Sequence, residues 1–193
     1  MASGEAALLL LAWALARWLE IPAFEQFRPS SASLLVGVLA TIPLLLALAW
    51  MLGSSSPPIQ RLVSLVVEQM GPFLASCTVL ELGILAVVAG LCEEVLFRGV
   101  VQVGLAQWIS DSWALLGASV AFGVVHFATP TYALFAGIMG LYLGLVFLAQ
   151  QSLLAPIVAH GLYDFVALIY VSRRYRLNHA RSSETEPEPA ARQ

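Results

Sequence analysis

Charged residues are scarce in this sequence, and lysine is absent. Only 11% of the 193 residues are charged, and nine basic residues against twelve acids give a formal net charge of −3. An ordinary soluble domain carries about 25% charged residues. So few charges exclude a disordered chain and a coiled coil, and the lack of a basic excess excludes a nucleic-acid-binding protein.

Cysteine is scarce as well. Cys77 and Cys92 both lie in apolar runs, and they form no CxxC pair. The sequence therefore argues against a disulfide scaffold and against a cysteine-rich zinc site. We interpret both thiols as small packing groups.

Apolar residues, in contrast, make up 60% of the chain, and the mean hydropathy is +0.85. Runs of about 20 apolar residues are long enough to cross a bilayer as helices. We therefore predict an all-α fold, a polytopic membrane helix bundle of about six transmembrane helices with a polar intramembrane cavity. The lipid bilayer is then the first partner of the chain.

Turn and breaker residues divide the chain into three parts. Residues 1–77 are predicted to form N-terminal membrane helices and an interfacial segment, residues 78–171 a membrane core, and residues 172–193 a charged, largely disordered cytoplasmic tail. The spans that we expect are 6–19, 33–52, 78–107, 112–127, 131–149 and 153–171. Residues 60–70 form an interfacial amphipathic helix or a short entry turn, which Gly71-Pro72 ends.

The first of these runs has two interpretations. It is a signal peptide or a retained first helix, and the lack of a basic residue before it favours the retained helix. Arginine then indicates the orientation, since four arginines follow the last span within residues 173–181 and only Arg28 lies in the opposite set of loops. Basic residues stay on the cytoplasmic side. We expect a cytoplasmic C-terminus and, with an even number of spans, a cytoplasmic N-terminus.

Four ionisable residues interrupt the apolar core. They are Glu93, Glu94, Arg98 and Asp164. Each would cost about 2.5–3.5 kcal/mol at the bilayer centre, so they must face one another or a wet cavity. Residues four apart share one helix face, which favours a Glu94–Arg98 ion pair and a His160–Asp164 pair. Such intramembrane charges are candidates for a functional site.

Two histidines widen the range of possible chemistry. His126 follows Phe122 by four residues, and His160 lies on the last predicted span. Two histidines and a carboxylate are the ligands of a catalytic zinc site, which makes Glu93, His126 and His160 candidate metal ligands. No HExxH motif is present. The same groups also suit metal-free hydrolysis, in which a glutamate and a histidine activate water and the second histidine stabilises the oxyanion.

Three motifs in this core resemble those of the CAAX protease and bacteriocin-processing (CPBP, or Abi) family. Residues 93–99 read EEVLFRG and are similar to its EExxxR motif. Residues 122–126 read FGVVH, which resembles FxxxH, and residues 160–164 read HGLYD, which resembles HxxxN or HxxxD. The ordered triple identifies residues 78–171 as similar to the family's catalytic membrane core.

The resemblance implies an all-helical intramembrane endopeptidase, and the family carries a metalloprotease label. Some members of this family cut prenylated CAAX proteins. Others process peptides to their mature form or confer immunity to bacteriocins. The implied substrate is a membrane-associated protein or peptide, of the prenylated CAAX type in one branch. Whether a divalent metal such as zinc is a cofactor, or the mechanism is metal-free, stays open at this point.

The resemblance implies a role for each residue that matches a motif of the family. Glu93 would activate the water together with His126, and Glu94 would assist it or be held by Arg98. Phe122 would support the second motif.

The third motif implies that His160 and Asp164 stabilise the oxyanion. Asp164 stands where the CAAX-cleaving branch commonly has asparagine. An ionised carboxylate cannot donate to an oxyanion, so Asp164 must be protonated, orient His160 or bind a metal.

Two other classes of function fit the same residues. The chain could be a non-enzymatic membrane immunity or scaffold protein that binds a peptide or a partner. It could also be a small transporter or channel subunit, in which Glu93, Glu94 and His126 relay protons. The first predicts that substitutions of Glu93 and His126 are tolerated, and the second predicts proton-linked flux without peptide cleavage.

Overall fold

The computed structural model describes residues 2–185, and every regular element in that range is helical. The helices are α1 (Ala2–Trp18), a 3₁₀ turn (Ala23–Gln26), α2 (Ser31–Gly53), α3 (Pro57–Leu74), α4 (Val79–Ala106), α5 (Asp111–Val125), α6 (Pro130–Gln150) and α7 (Leu154–Thr185). The predicted all-α class is confirmed.

Local capping explains where three of the helices begin. The Ser30 hydroxyl accepts a hydrogen bond from the Ser33 backbone N–H at the start of α2. Thr78 forms a capping box with Glu81 at the start of α4, and Thr129 caps α6 ahead of Pro130. Each cap satisfies a backbone donor that the first helical turn leaves without an intrahelical partner.

Three helices within the described residues are long and apolar enough to cross a membrane, namely α2, α6 and the Leu154–Ala180 part of α7. A fourth span results if the bent pair α3–α4 counts as one. The predicted count of six is not confirmed, because Ala7–Trp18 and α5 are apolar but shorter. Large apolar side chains such as Leu35, Leu46 and Trp50 face outward from α2, as expected of an integral membrane protein.

Helix α3 is longer than the segment 60–70 that we predicted. It continues through Gly71 and Pro72 to Leu74, so the prediction that Gly71-Pro72 ends this helix is wrong. A proline removes one hydrogen bond of the helix ladder, and two more residues still fit before the chain turns. The next helix, α4, starts at Val79 and runs at 119° to α3.

Helix α7 is the centre of the bundle and packs against α2, α3, α4 and α6. Small residues let the backbones approach closely. A Cβ on Gly37 of α2 would lie 2.7 Å from the Ala155 carbonyl oxygen, and one on Gly90 of α4 would lie 2.9 Å from the Gly161 nitrogen. Close backbone packing of this kind is typical of membrane helices.

The end of α7 differs from the tail that we predicted. Residues 172–185 continue the helix instead of being disordered, while residues 186–193 of that predicted tail lie outside the described residues. The reason is tertiary contact. The Tyr175 ring lies against Gly71, and the Arg176 guanidinium donates hydrogen bonds of 2.7 and 3.3 Å to the carbonyls of Ala75 and Cys77.

Candidate active site

The polar residues of the three motifs meet inside the bundle. Glu93 and Glu94 come from α4, His126 follows the last residue of α5, and His160 and Asp164 lie one turn apart on α7. The structure thus brings together the five residues that the sequence singled out as candidate catalytic groups. Arg98 and Phe122, the predicted supporting residues, lie beside them.

The winding of α4 changes immediately after the two glutamates. Residues Val95–Gln102 form a π-helix, and all of them except Val101 are buried. π-Helical stretches are rare and frequent at functional sites. Hydropathy gave no sign of this change, since the apolar pattern continues through it.

Glu94 connects two of the motifs. Its side chain is 0% exposed, and its two carboxylate oxygens have different partners. Oε2 lies 3.1 Å from Arg98 Nε, and Oε1 lies 2.8 Å from His160 Nδ1. The predicted Glu94–Arg98 ion pair is therefore present. Because a carboxylate accepts, the His160 imidazole donates from Nδ1 and presents Nε2 to the rest of the cluster.

Arg98 is held from three directions. Besides its ion pair with Glu94, its Nη2 donates a 2.9 Å hydrogen bond to the Gly140 carbonyl of α6. Its guanidinium carbon lies 4.9 Å from the centre of the Phe122 ring, within the range of a cation–π contact. A Cβ on Gly140 would come within 3.2 Å of Phe122 Cβ, so a glycine keeps this approach open.

Gln102 continues the polar row and was missed from the sequence. Its Nε2 lies 3.4 Å from the Gly144 carbonyl oxygen, one turn along α6 from Gly140. A Cβ on Gly144 would lie 2.8 Å from Gln102 Oε1. The backbone carbonyls of Gly140 and Gly144, which form a GxxxG pair on α6, therefore accept hydrogen bonds from two polar side chains of α4. The repeat of a polar residue every four positions, from Glu94 to Arg98 to Gln102, was the available signal.

Glu93 faces both histidines. Its Oε2 lies 3.7 Å from His126 Nε2 and 3.9 Å from His160 Nε2, and its side chain is 15% exposed. Both separations exceed a direct hydrogen bond and can be spanned by one water molecule. Consecutive glutamates thus have different surroundings, because neighbours on a helix point about 100° apart.

His126 is oriented by the motif that carries it. Its backbone angles, φ −92° and ψ 16°, fall outside the helical region as α5 ends. The Nδ1 atom lies 2.8 Å from the Phe122 carbonyl, so we assign the proton to Nδ1. The imidazole stacks on the Phe122 ring with 4.4 Å between centroids. These contacts leave Nε2 directed at Glu93, in a side chain that is 23% exposed.

Asp164 lies at the accessible edge of the cluster. Its Oδ2 is 3.5 Å from His160 Nε2, and its side chain is 24% exposed. The distance fits the predicted His160–Asp164 pair of residues four apart. His160 thus lies between a buried carboxylate at Nδ1 and a partly exposed carboxylate at Nε2.

The side chains of the polar cluster include several that can bind a metal ion. Within residues 2–185, no group of three or more His, Cys, Asp or Glu side chains is placed so that it could hold one. The candidate ligands Glu93, His126 and His160 face one another, but they do not enclose a common coordination point in this arrangement. We therefore derive no chemical step through a metal.

These features define a class of protein, a helical integral membrane protein with a buried carboxylate–histidine cluster that is open at one edge. Residues 75–166, just under half of the chain, match the family model described as type II CAAX prenyl endopeptidase Rce1-like. The match contains all three motifs and confirms the resemblance to the CPBP/CAAX protease family. It supports CAAX-type intramembrane protease activity. No curated protein and no solved structure gives a match.

Proposed function

We propose that this chain is an intramembrane endopeptidase that hydrolyses a peptide bond of a membrane-associated protein or peptide, with prenylated CAAX-type proteins as the candidate substrates. The observation that carries the proposal is the position of Glu93, whose Oε2 faces the Nε2 atoms of His126 and His160 at 3.7 and 3.9 Å. A water molecule between them would be in contact with a base.

In the first step, Glu93 acts as the general base. A bridging water donates one hydrogen bond to Glu93 Oε2 and a second hydrogen bond to His126 Nε2, which can accept it because Nδ1 carries the ring proton and donates to the Phe122 carbonyl. A lone pair of the water oxygen is then free to attack the scissile carbonyl as Glu93 takes the proton. The product of this step is a tetrahedral intermediate with a negatively charged oxygen.

His160 stabilises that oxyanion in our proposal. The His160 Nδ1 already donates its hydrogen bond to Glu94, so only Nε2 can donate one to the substrate. Nε2 carries a proton for this purpose when the ring is doubly protonated. Asp164 orients the ring and balances its charge through the 3.5 Å approach to Nε2. Of the three roles left open for Asp164 by the sequence, this contact favours orientation of His160.

Collapse of the intermediate needs a proton for the leaving amine. The proton taken by Glu93 passes to the amine nitrogen directly or through His126, and the carbon–nitrogen bond breaks as the carboxyl product forms. Glu94, Arg98 and Phe122 act in our proposal as positioning residues, since they hold the histidines and do not face the open edge.

The membrane orientation is also proposed. Arg173, Arg174 and Arg176 directly follow the apolar part of α7, which supports a cytoplasmic C-terminus. An even number of membrane-crossing helices would place the N-terminus on the same side. Labelling of single cysteines introduced at Asn178 and at Gln107, in intact cells and in inverted vesicles, would test this orientation, with Asn178 reacting from the cytoplasmic side.

The test of the proposed reaction is peptide cleavage by the purified full-length chain in nanodiscs. Glu93→Gln should lower the cleavage rate by about 10³-fold, because it removes the general base without removing volume. Glu25→Gln, an exposed site in the 3₁₀ turn, is the matched control and should be unaffected. Prenylated and unprenylated forms of one peptide identify the substrate class.

Two outcomes would contradict the proposal. Full cleavage by the Glu93→Gln variant would exclude Glu93 as the base. Loss of cleavage by the wild type on addition of a chelator, with recovery on adding zinc, would replace the metal-free mechanism by a metal-assisted one.

A further inference from the structure

A cavity lies outside the polar cluster, where α2, α3 and α7 meet. The cavity has a volume of about 280 Å³. Its polar lining residues are Ser54, Gln60, Ser64, Glu68, Tyr170, Arg174 and Asn178. None of them belongs to the three motifs, and the proposed peptidase reaction does not use them.

The cavity lies at the depth of lipid headgroups. Helix α2 ends at Gly53 after 23 residues without a charge, and Ser54 follows immediately. Arg174 comes just after the apolar part of α7. Residues that follow two membrane-spanning segments lie at the boundary between hydrocarbon and water. A cavity bounded by both is therefore accessible to the phosphate and amine groups of the surrounding lipids.

The walls of the cavity are fixed to one another by the contacts that join α3 and α7. Tyr175 packs against Gly71, and Arg176 donates to the backbone carbonyl of Ala75. Val67 and Val171 belong to one buried apolar cluster between the same two helices. The two walls that α3 and α7 contribute are therefore held in a fixed position relative to each other.

The lining carries two opposite charges. Gln60, Ser64 and Glu68 follow one another at four-residue intervals along one face of α3, and Arg174 of α7 lines the same cavity. No ion pair involves Glu68 or Arg174 among the residues that the structure describes. An anionic group and a cationic group that line one cavity without pairing complement a ligand that also carries both charges.

We propose that this cavity binds the headgroup of phosphatidylethanolamine. Arg174 contacts the phosphate, and the Glu68 carboxylate accepts hydrogen bonds from the primary ammonium, with Gln60 and Ser64 as further polar partners. The acyl chains lie in the adjacent bilayer. A phosphatidylglycerol headgroup would leave Glu68 beside an anion, and the quaternary ammonium of phosphatidylcholine cannot donate a hydrogen bond. The proposal does not depend on the peptidase reaction.

Native mass spectrometry of the full-length chain, released from detergent with dioleoyl lipids of each headgroup, tests the proposal. We expect one phosphatidylethanolamine to be retained about tenfold more strongly than phosphatidylcholine or phosphatidylglycerol, the difference expected from one charge-assisted hydrogen bond. Glu68→Gln and Arg174→Gln should each remove this preference. Both side chains are exposed, so neither change should affect folding.

Matched variants separate this cavity from its surroundings. Arg173→Gln removes the neighbouring exposed arginine and should keep the preference. Arg61 lines an adjoining depression of about 390 Å³ that shares Gln60, Ser64 and Glu68, and Arg61→Gln should also keep it. Soluble phosphoethanolamine at the same concentration should not displace the lipid.

Three results would overturn the proposal. Equal retention of the three lipids would exclude headgroup recognition. A loss in Arg61→Gln or Arg173→Gln as large as that in Arg174→Gln would exclude this cavity as the site. Displacement by soluble phosphoethanolamine would show a soluble ligand instead of a lipid.

Discussion

The polar cluster has a packed side and an open edge, and the two differ in how their side chains are held. On the packed side, Glu94 and Arg98 are 0% and 1% exposed and have partners on α7 and α6. At the open edge, Glu93, His126 and Asp164 are partly exposed, and their contacts with one another and with His160 are 3.5 Å or longer.

The difference separates side chains that stabilise the fold from side chains that can take part in the reaction. The Glu94 carboxylate is 0% exposed and faces Arg98 and His160, so water and substrate do not reach it and we expect it to position other groups. A carboxylate such as Glu93, whose contacts with two imidazoles are longer than hydrogen bonds, can exchange these contacts for contacts with water and substrate. We therefore expect substitutions on the packed side to lower stability most and substitutions at the open edge to lower activity most.

The largest loss of stability is expected for Arg98→Met. The substitution leaves the Glu94 carboxylate buried without its cation, which typically costs about 3–5 kcal/mol. Thermal or denaturant unfolding in detergent measures the change. Arg173→Met, at an exposed arginine, is the control and should stay within about 0.5 kcal/mol of the wild type. Equal stability of the two variants would show that the packed side does not hold the bundle together.

A smaller loss is expected for Gly144→Ala. The new methyl group would overlap with Leu115 Cδ1 and lie 2.8 Å from Gln102 Oε1, and overpacking of this kind costs about 1–3 kcal/mol. Gly53→Ala provides a matched control, since nothing lies within 4 Å of a Cβ at that position. An equal loss of stability in both variants would attribute the effect to the alanine in the helix and not to the contacts with α4 and α5.

At the open edge, His126→Gln should lower the unfolding free energy by about 1 kcal/mol, the contribution of its hydrogen bond to the Phe122 carbonyl, and therefore by less than Arg98→Met. The cleavage rate should fall by about 10²-fold, because the water loses one of its two acceptors. Comparison of unfolding and cleavage for the same preparation distinguishes the two effects. If His126→Gln were as unstable as Arg98→Met, His126 would stabilise the fold in the same way as the residues of the packed side.

The smallest effect is expected for Asp164→Asn. The amide keeps the shape of the side chain and can still contact His160 through its oxygen, so we expect less than about a tenfold change in cleavage rate. Asp164→Leu, which removes both oxygens, should lower the rate further. Equal rates for the two variants would show that the contact with His160 does not matter for the reaction.

The sequence predicted the helices of the core well because their apolar runs are bounded by polar or breaker residues. The span predicted at 131–149 is α6, Pro130–Gln150, and the long helix predicted at 78–107 is α4, Val79–Ala106. The motif residues could be grouped for the same reason, since intramembrane charges must find one another. Hydropathy does not record winding, however, and the π-helix within α4 was not foreseen.

Features that depend on tertiary contacts were the ones that the sequence could not predict. The extension of α7 rests on Tyr175 and Arg176, whose partners lie about 100 residues away in the chain. The role of Gln102 rests on a carbonyl of α6. The predicted number of six spans is not confirmed, because two of the predicted spans, Ala7–Trp18 and α5, are apolar but shorter than a typical membrane-crossing helix.

The short length of α5 would affect the membrane around the protein if this helix crosses it. Its 15 residues extend about 22 Å, whereas the hydrocarbon core is about 30 Å thick. Such hydrophobic mismatch thins the adjacent bilayer. His126 directly follows this helix, so thinning brings headgroups and interfacial water towards it. Bilayer thickness would then determine the hydration of the open edge, and longer acyl chains should slow the proposed hydrolysis, which consumes water there.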